Sequence, residues 1–263
     1  MASCSTFTGD IVIATQAADT IQLNGIQQIT GSLTCDGATN LSTLSADSLS
    51  TIGKNFHLTG LTTLQTLNFA RLTAVDTILW SALPELQNLT FASKVSRAAN
   101  VLITNTQLNS LNGIDLQTVD SFNINNNPYL TSIDTQLGNI TKALTIEANG
   151  RRLTASFPNL EWAYNMTFRN CSDVKLPSLT AVNGSMGFYE NFFTSLAAPN
   201  LTTIGQSLVF DDNAQLTNIS LPMLKQISGG YQIANNSALK VIDGFQALQV
   251  VAGALDFSGN FTK

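Results

Sequence analysis

The chain has 263 residues, of which 44% are hydrophobic and only 11% are charged. Since an average soluble domain has roughly 25% charged residues, neutral side chains must supply the polarity, and the sequence contains 26 Asn, 31 Thr and 23 Ser. This balance is typical of an all-β, often extracellular protein. A net charge of −5, with no basic run beyond Arg151 and Arg152, argues against a nucleic-acid partner, because clustered cations must neutralise the phosphates. The single histidine, His57, excludes zinc sites with several imidazoles.

The sequence has no apolar stretch that approaches the roughly 18 to 20 residues needed to span a bilayer. Its first residues have neither the positive region nor the apolar region of a secretory signal. Either the protein is made without a signal, or the sequence is a trimmed form, and the features below favour trimming.

One pattern of about 22 residues recurs along the chain. Each repeat has an apolar residue, a gap that usually contains Gly, and two apolar residues separated by one polar residue. Clear examples lie at 7–13, 29–35, 182–188 and 251–257. We name the last apolar residue of each repeat its stacking position, and successive stacking positions are 20 to 24 residues apart. In chain order they are Ile13, Cys35, Leu58, Trp80, Ile103, Ile124, Ile146, Phe168, Phe188, Phe210, Ile233 and Phe257, with Trp80 the weakest fit. A fixed period of this length indicates a repeat fold.

The residues around each stacking position alternate between apolar and polar, as those of a half-buried strand do. Further apolar clusters, for example at 130–140, 176–182, 196–204 and 216–227, predict the other walls of each coil. No segment has a long unbroken helical spacing, and Thr, Ser, Asn and Gly are poor helix formers.

An amide side chain recurs three residues after the stacking position. In the same turn of successive coils, such amides can bond backbone groups that stacking would otherwise bury. We name this set the amide ladder, and its members are Asn127, Asn149, Cys171, Asn191, Asn213, Asn236 and Asn260. Asn and Cys also share one position in leucine-rich repeats, but the lack of a helix in each period favours the related receptor L-domain type. We therefore predict one all-β domain over residues 1–263, a right-handed parallel β-solenoid with about twelve coils of about 22 residues, in which 1–6 is an N-terminal remnant.

Several stretches also carry a family resemblance, namely 122–127 (FNINNN), 162–169 (WAYNMTFR), 233–236 (IANN), 239–245 (LKVIDGF) and 259–261 (GNF). Their order and spacing resemble those of the fungal GPI-anchored cell-wall organisation proteins. These proteins are grouped with the sporulation-specific cell-wall proteins that have receptor L-domain-like repeats, and the likeness covers essentially the whole chain.

The resemblance implies a secreted, heavily glycosylated protein, anchored to the membrane or wall and required for wall structure and integrity. No catalytic activity is established for such proteins, and we expect no cofactor and no metal. The implied partners are cell-wall polysaccharide or mannoprotein, with membrane contact only through a GPI anchor. Proteins of this kind usually carry a signal peptide, a cysteine-containing cap after the last coil, a Ser/Thr-rich tail and a GPI signal, none of which this sequence contains.

The three cysteines cannot all pair with one another, since three is an odd number. Cys35 stands at a stacking position and Cys171 on the amide ladder, so we expect both to be buried free thiols, too many coils apart to bond to each other. Cys4 precedes the first coil, and by the resemblance its partner lies upstream of Met1. A bridge between Cys4 and Cys35 is the alternative.

Asn-x-Ser/Thr acceptor sequences occur ten times, about twice the number that the composition predicts. Either Asn- and Thr-rich turns generate them by chance, or they mark a secreted glycoprotein, which the family resemblance favours. The candidate glycosylation sites are Asn40, Asn88, Asn139, Asn165, Asn170, Asn183, Asn200, Asn218 and Asn235. The tenth, Asn260, lies on the ladder and should be a poor acceptor, whereas Asn165 and Asn235 should face solvent.

Four residues that directly follow stacking positions in the middle coils form what we name the outward lane: Glu147, Arg169, Tyr189 and Asp211. Stacked about 4.8 Å apart, they predict an ion pair and a cation–aromatic contact that stabilise the sheet. The alternative is a binding platform for a polar ligand such as a glycan, with Trp162, Tyr164 and Asn165 as further members. We favour the stabilising interpretation.

Asp211 and Asp212 are the only adjacent acidic pair, and neighbouring strand residues point to opposite faces. His57 should lie about 34 Å away at the strand spacing, so it cannot assist them in acid/base catalysis. We therefore expect a non-enzymatic cell-wall protein that acts as a structural rod or a recognition module. A glycan- or protein-binding receptor-like domain is the alternative, and a β-helix carbohydrate-active enzyme is a more distant one.

Overall fold

The structure is a computed structural model that describes residues 5–262. Within this range the chain forms strands and turns and contains no helix, and strands of successive turns pair in parallel. About twelve turns of a β-solenoid follow one another at intervals of roughly 22 residues, which confirms the predicted all-β solenoid class. The chain divides into two compact units, the first ending at Leu130 and the second beginning at Thr131.

Within residues 5–130, the first unit contains twelve strands. They are β1 (Thr6–Phe7), β2 (Ile11–Ile13), β3 (Thr20–Gln22), β4 (Gln28–Ile29), β5 (Leu33–Asp36), β6 (Thr43–Ser45), β7 (Thr51–Thr59), β8 (Thr66–Asn68), β9 (Ala74–Leu83), β10 (Leu89–Thr90), β11 (Asn100–Thr106) and β12 (Thr118–Asn125). The main sheet runs through β2, β5, β7, β9, β11 and β12, and a second sheet through β3, β6, β8 and β10 forms another wall.

The second unit contains the other fifteen described strands. They are β13 (Ser132–Asp134), β14 (Asn139–Glu147), β15 (Thr154–Ser156), β16 (Trp162–Arg169), β17 (Asp173–Lys175), β18 (Ala181–Val182), β19 (Met186–Tyr189), β20 (Ser195–Ala197), β21 (Thr203–Ile204), β22 (Leu208–Asp211), β23 (Asn218–Ser220), β24 (Gln226–Ile227), β25 (Tyr231–Ala234), β26 (Val250–Val251) and β27 (Leu255–Ser258). Its main sheet runs through β14, β16, β19, β22, β25 and β27, and shorter strands form the other walls.

The predicted stacking positions are paired in register within each unit. In the first unit Trp80, the weakest fit to the repeat, lies between Leu58 and Ile103. In the second unit Phe188 lies between Phe168 and Phe210. A period of about 22 residues returns the chain to the same point of each coil, so the apolar residues of one position form a continuous core.

Aromatic side chains fill this core differently in the two units. In the second, the rings of Phe168, Phe188 and Phe210 stack almost parallel, with centroids 5.5 and 4.9 Å apart. In the first, the ring of Trp80 meets those of Phe56 and Phe91 edge to face, at 5.5 and 6.0 Å. Such pairs add about 0.5–1.5 kcal/mol each beyond the area that they bury, so the aromatic residues help to hold the coils in register.

In most coils of the main sheet a residue with positive φ lies two residues after the stacking position. Gly37 and Gly60 adopt positive φ there, at 65° and 63°, which costs glycine little. Later coils place other residues in the same left-handed conformation, namely Ala82, Asn105, Asn126, Ala148, Asn170, Glu190, Asp212 and Asn235. The next residue in each of these coils is buried, so this turn directs the amide-ladder position into the core.

Candidate functional site

The amide ladder of the second unit is a buried chain of hydrogen bonds. Asn191, Asn213 and Asn236 are at most 2% exposed. The Oδ1 atom of Asn213 accepts a bond from the backbone N–H of Asn191 at 3.0 Å, and that of Asn236 accepts one from the N–H of Asn213 at 2.9 Å. The Nδ2 atom of Asn213 donates to the Phe188 carbonyl at 3.0 Å, and that of Asn236 to the Phe210 carbonyl at 2.9 Å. Each amide thus satisfies backbone groups that coil stacking removes from water.

Cys171 occupies a ladder position but cannot do all that an amide does. Its backbone N–H donates to Asn191 Oδ1 at 2.9 Å, whereas its Sγ makes only a weak 3.7 Å contact to the Arg169 carbonyl. The thiol is free and buried, and burial raises its pKa to about 12. A buried thiol with a raised pKa is inert as a nucleophile, which favours a packing role.

In the first unit, Asn127 of the ladder bonds Thr106, a residue that the sequence analysis did not assign to the ladder. Asn127 is fully buried, and its Oδ1 accepts bonds from the backbone N–H and the hydroxyl of Thr106 at 3.1 and 2.7 Å. Thr106 lies three residues after the stacking position Ile103. The signal is therefore present in the spacing, but a hydroxyl does not stand out at this position as an amide or a thiol does.

Asn149 and Asn260, two further members of the predicted ladder, differ in burial. Asn149 is 7% exposed and belongs to the buried set. Asn260 is exposed, because no coil packs over it within the described residues. The structure therefore brings Cys171, Asn191, Asn213 and Asn236 together in one chain of bonds and leaves Asn260 outside it.

The outward lane is in register, but its ion pair is not the predicted one. Arg169 pairs across the sheet with Tyr189, and Tyr189 pairs with Asp211. The guanidinium carbon lies 5.4 Å from the centroid of the Tyr189 ring. Arg169 Nη1 bonds Glu190 Oε1 at 2.7 Å, whereas the expected partner was Glu147. Glu190 adopts a φ of 50° in the turn, and its carboxylate lies beside Arg169.

Tyr189 is enclosed on one side by its own strand. Its ring covers Gly187, where a Cβ atom would lie only 2.5 Å from the ring. Burial raises the pKa of Tyr189, while the Arg169 charge opposes that shift and the Asp211 charge adds to it. The ring is therefore held in place by the chain and by Arg169.

Trp162 and Tyr164 do not belong to the outward lane. They lie near the start of β16, and Arg169 ends it. Seven residues of extended strand separate Trp162 from Arg169, which is about 23 Å at roughly 3.3 Å per residue. The binding platform predicted from these side chains together stays a prediction, and it would have to extend along the length of β16.

The predicted carboxylate pair is divided by the turn. Asp211 ends β22 on the outward lane, and its Oδ1 accepts a bond from Asn235 Nδ2 at 3.2 Å. Asp212 is exposed and adopts a φ of 56°. His57, in the first unit, is half-buried on β7. Across residues 5–262, no three His, Cys, Asp or Glu side chains are grouped as a metal ion would require, and no helix has the length and apolar character to cross a membrane.

Comparison with known proteins identifies the family. The chain is 48% identical to "Cell surface GPI-anchored protein" of Arthroderma benhamiae over 99% of its own length and 67% of that protein. It is 46% identical to "Protein ecm33" of Aspergillus fumigatus over 99% of its own length and 65% of the relative. The chain belongs to this family of fungal GPI-anchored cell-surface proteins. It is therefore a protein of the cell wall or outer cell surface.

A more distant relative comes from yeast. "Sporulation-specific protein 2" of Saccharomyces cerevisiae is 34% identical over the whole chain, which spans 52% of that protein. The chain thus spans about two thirds of the first two relatives and about half of the third. No family model matches the sequence, and no solved structure matches it.

Membership of a cell-surface family makes the glycosylation sites relevant. The acceptor asparagines differ in solvent exposure and in hydrogen bonding. Asn40, Asn88, Asn183 and Asn218 are exposed and make no side-chain hydrogen bond within the described chain. Three others donate their Nδ2 atoms elsewhere: Asn170 to the Glu190 carbonyl, Asn200 to the Pro177 carbonyl and Asn235 to Asp211.

Three acceptor asparagines lie in strands: Asn139 in β14, Asn165 in β16 and the exposed Asn218 at the start of β23. Asn139 is half-buried, with an Oδ1 atom that is buried without a hydrogen-bond partner. Asn165 was expected to face solvent, but it is half-buried, and its Oδ1 accepts a bond from the Ser185 N–H at 2.9 Å. Asn165 therefore faces solvent only in part, because Gly184 leaves room for its amide to fold against the next coil.

Cys35 resembles Cys171 in being free and buried. Burial, with a smaller contribution from the Asp36 charge, raises the pKa of Cys35 to about 11. Cys4 lies outside the described residues, so its predicted pairing stays a prediction.

Proposed function

We propose that the chain supports the organisation and integrity of the fungal cell wall without catalysing a reaction. The main support for this proposal is the row of buried hydrogen bonds from Cys171 to Asn236. In it, the recurrent amides hold successive coils together. On the outward lane, Arg169 is engaged by Glu190 and Tyr189. Polar groups in these positions serve the scaffold. In this role residues 1–263 act as one continuous domain, a stiff glycosylated rod.

The placement of the acidic residues supports a non-enzymatic role. Glycan hydrolysis uses two carboxyl groups that face one substrate from about 5 to 10 Å apart. Asp211 is bonded to Asn235 on the sheet, and Asp212 lies in the turn. Neither of them is near His57 in sequence or belongs to the same unit.

In the proposed role, the chain carries N-linked glycans on its surface. We expect Asn40, Asn88, Asn183 and Asn218 to carry them most fully, because a transferase needs an exposed and unbonded Nδ2 atom. Asn170, Asn200 and Asn235 must first break a hydrogen bond, and Asn139 and Asn165 are only half-exposed on the sheet. Mass spectrometry of peptides released with a glycosidase in heavy-oxygen water should give occupancies in this order.

Recognition of wall polysaccharide or mannoprotein is the second candidate function. Tyr189 and Asp211 remain half-exposed on the outward lane and could contact a polar ligand. Because Arg169 is already paired with Glu190, a ligand would have to compete for it. This competition favours a scaffold role over recognition of a ligand by the outward lane. Membrane attachment through a GPI anchor would serve either role.

A fungal strain that lacks the gene tests these functions against one another. Restoring the chain with Arg169→Ala and Tyr189→Ala should return resistance to a wall-binding dye fully if the chain is a scaffold, and poorly if the lane recognises a ligand. Restoring it with Asn191→Ala and Asn213→Ala should fail, because the scaffold is weakened. Soluble sugar released from purified walls by the wild-type protein, and lost on Asp212→Ala, would contradict the non-enzymatic role.

A further inference from the structure

The turn surface of the first unit contains an open depression of about 230 Å³. Its walls are two prolines, three amide side chains and one aromatic ring: Pro84, Asn105, Gln107, Asn126, Pro128 and Tyr129. None of these side chains is charged at neutral pH. A site with neutral hydrogen-bonding groups beside an aromatic face suits an uncharged polar ligand.

The amides of the depression are held in position by a chain of neutral hydrogen bonds. Asn105 and Asn126 occupy equivalent turns of successive coils, with φ of 55° and 52°. Asn126 Nδ2 donates to Asn105 Oδ1, and Asn105 Nδ2 donates to the Thr104 hydroxyl at 3.1 Å. That hydroxyl donates in turn to Asn125 Oδ1 at 2.5 Å. Side chains oriented before binding lose less entropy when a ligand arrives.

The outer end of this chain retains free hydrogen-bonding capacity. Among residues 5–262, no donor reaches Asn126 Oδ1, and one proton on its Nδ2 is left after the bond to Asn105. An amide therefore offers both an acceptor and a donor to the depression. A pair of adjacent hydroxyl groups, each of which can donate and accept, matches this pattern.

Tyr129 supplies the apolar part of the depression. Its side chain is 55% exposed, a large fraction for an aromatic residue in a chain whose other rings mostly form the core. Pro128 precedes it and restricts the backbone at the wall of the depression. An exposed ring beside oriented amides can pack against the C–H face of a sugar while the amides bond its hydroxyl groups.

We infer that this depression binds a neutral saccharide through Tyr129 and Asn126. Neither Asn105 nor Asn126 is a glycosylation acceptor, since the sequences read Asn105-Thr106-Gln107 and Asn126-Asn127-Pro128. The two asparagines that line the depression therefore carry no glycan themselves. The equivalent turns of the second unit instead carry the acceptors Asn170 and Asn235 and the charges of Glu190 and Asp212. The site is separate from the outward lane and does not depend on the scaffold role.

Titration calorimetry of the purified chain with short neutral oligosaccharides of β-glucan, chitin and α-mannan tests the site. At least one should bind, and Tyr129→Ala should weaken that binding at least tenfold, with a smaller loss for Asn126→Ala. Tyr129→Phe should retain most of the affinity because the ring remains. Phe7→Ala, which removes another exposed ring of the first unit, is the control and should change nothing.

The inference is overturned if none of the three oligosaccharides binds, or if Tyr129→Ala binds as the wild type does. It is also overturned if an anionic oligogalacturonate binds as tightly as the best neutral probe. Unchanged thermal unfolding of Tyr129→Ala would establish that a loss of binding reflects the site. The dye-resistance assay of the lane variant is independent of these outcomes, so failure of either proposal leaves the other standing.

Discussion

The two units repeat the same coil but handle polarity differently. In the second, amides of successive coils bond one another in a buried chain, and the outward lane carries charge. In the first unit, Leu83, Thr106 and Asn127 occupy the ladder position of successive coils. The residues that directly follow its stacking positions are mostly neutral, and two of them, Thr104 and Asn125, bond each other. The comparison shows that a shared period sets the backbone winding, while each coil satisfies its buried backbone groups with the side chains available.

The acceptor asparagines follow the same division. Asn40 and Asn88 are the two acceptors in the first unit, and the other eight lie in the second. If these sites are occupied as proposed, the second unit carries more glycans than the first, which carries them only at Asn40 and Asn88. The neutral depression around Tyr129 lies on the first unit, which has fewer acceptors.

The largest expected effect comes from breaking the second unit's ladder. Asn213→Ala removes the acceptor for the Asn191 N–H and the donors for the Phe188 and Asp211 carbonyls. Since a buried unsatisfied group costs about 1–3 kcal/mol, the free energy of unfolding should fall by about 3 kcal/mol or more in urea titration. Asn218→Ala, at an exposed asparagine, is the control and should change it by less than about 0.5 kcal/mol.

A smaller loss is expected from the corresponding change in the first unit. Thr106→Val keeps the volume but removes the hydroxyl that donates to Asn127 and accepts from the Leu108 N–H. The backbone N–H of Thr106 still bonds Asn127, so the free energy of unfolding should fall by about 1–2 kcal/mol. A loss as large as that of Asn213→Ala would show that the two units depend on their ladders equally.

The free energy of unfolding should depend on pH through the buried thiol of Cys171. Its pKa rises from 9.0 unfolded to about 12 in the fold, so above pH 9 the unfolded chain loses a proton that the folded chain keeps. Stability must then fall with rising pH by up to about 1.4 kcal/mol per pH unit. Cys171→Ser removes this titration and should give a shallower slope between about pH 9 and 10 in urea titrations. Equal slopes for both proteins would mean that the thiol is not buried as described.

The smallest effect concerns the outward lane. Arg169→Ala removes a solvent-exposed ion pair with Glu190 and the contact with Tyr189. Exposed pairs contribute about 0–1 kcal/mol, so the midpoint of urea unfolding should move little and should move less at high salt. Glu147→Ala should leave the Arg169–Glu190 pair intact. If Glu147→Ala lowered the midpoint of urea unfolding more than Arg169→Ala does, Glu147 would be the partner of Arg169 after all.

Much of the fold could be predicted because the core repeats with a readable period. The steps from Ile13 to Phe257 located one strand per coil, and the ladder spacing located its buried amides. The partner of Arg169 could not be predicted, because the turn conformation of Glu190 determines where its carboxylate lies. The depression at Tyr129 could not be predicted either, since it is formed by turns of separate coils rather than by any local motif.

Hydrogen exchange tests the central claim, that buried amides join successive coils, most directly. The backbone N–H groups of Cys171, Asn191 and Asn213 each donate to a ladder amide. Measured by NMR, they should exchange as slowly as the most protected strand amides, and the Asn191 N–H should lose much of that protection in Asn213→Ala. Rapid exchange of these three groups in the wild-type protein, at the rate of exposed turn amides, would contradict the account.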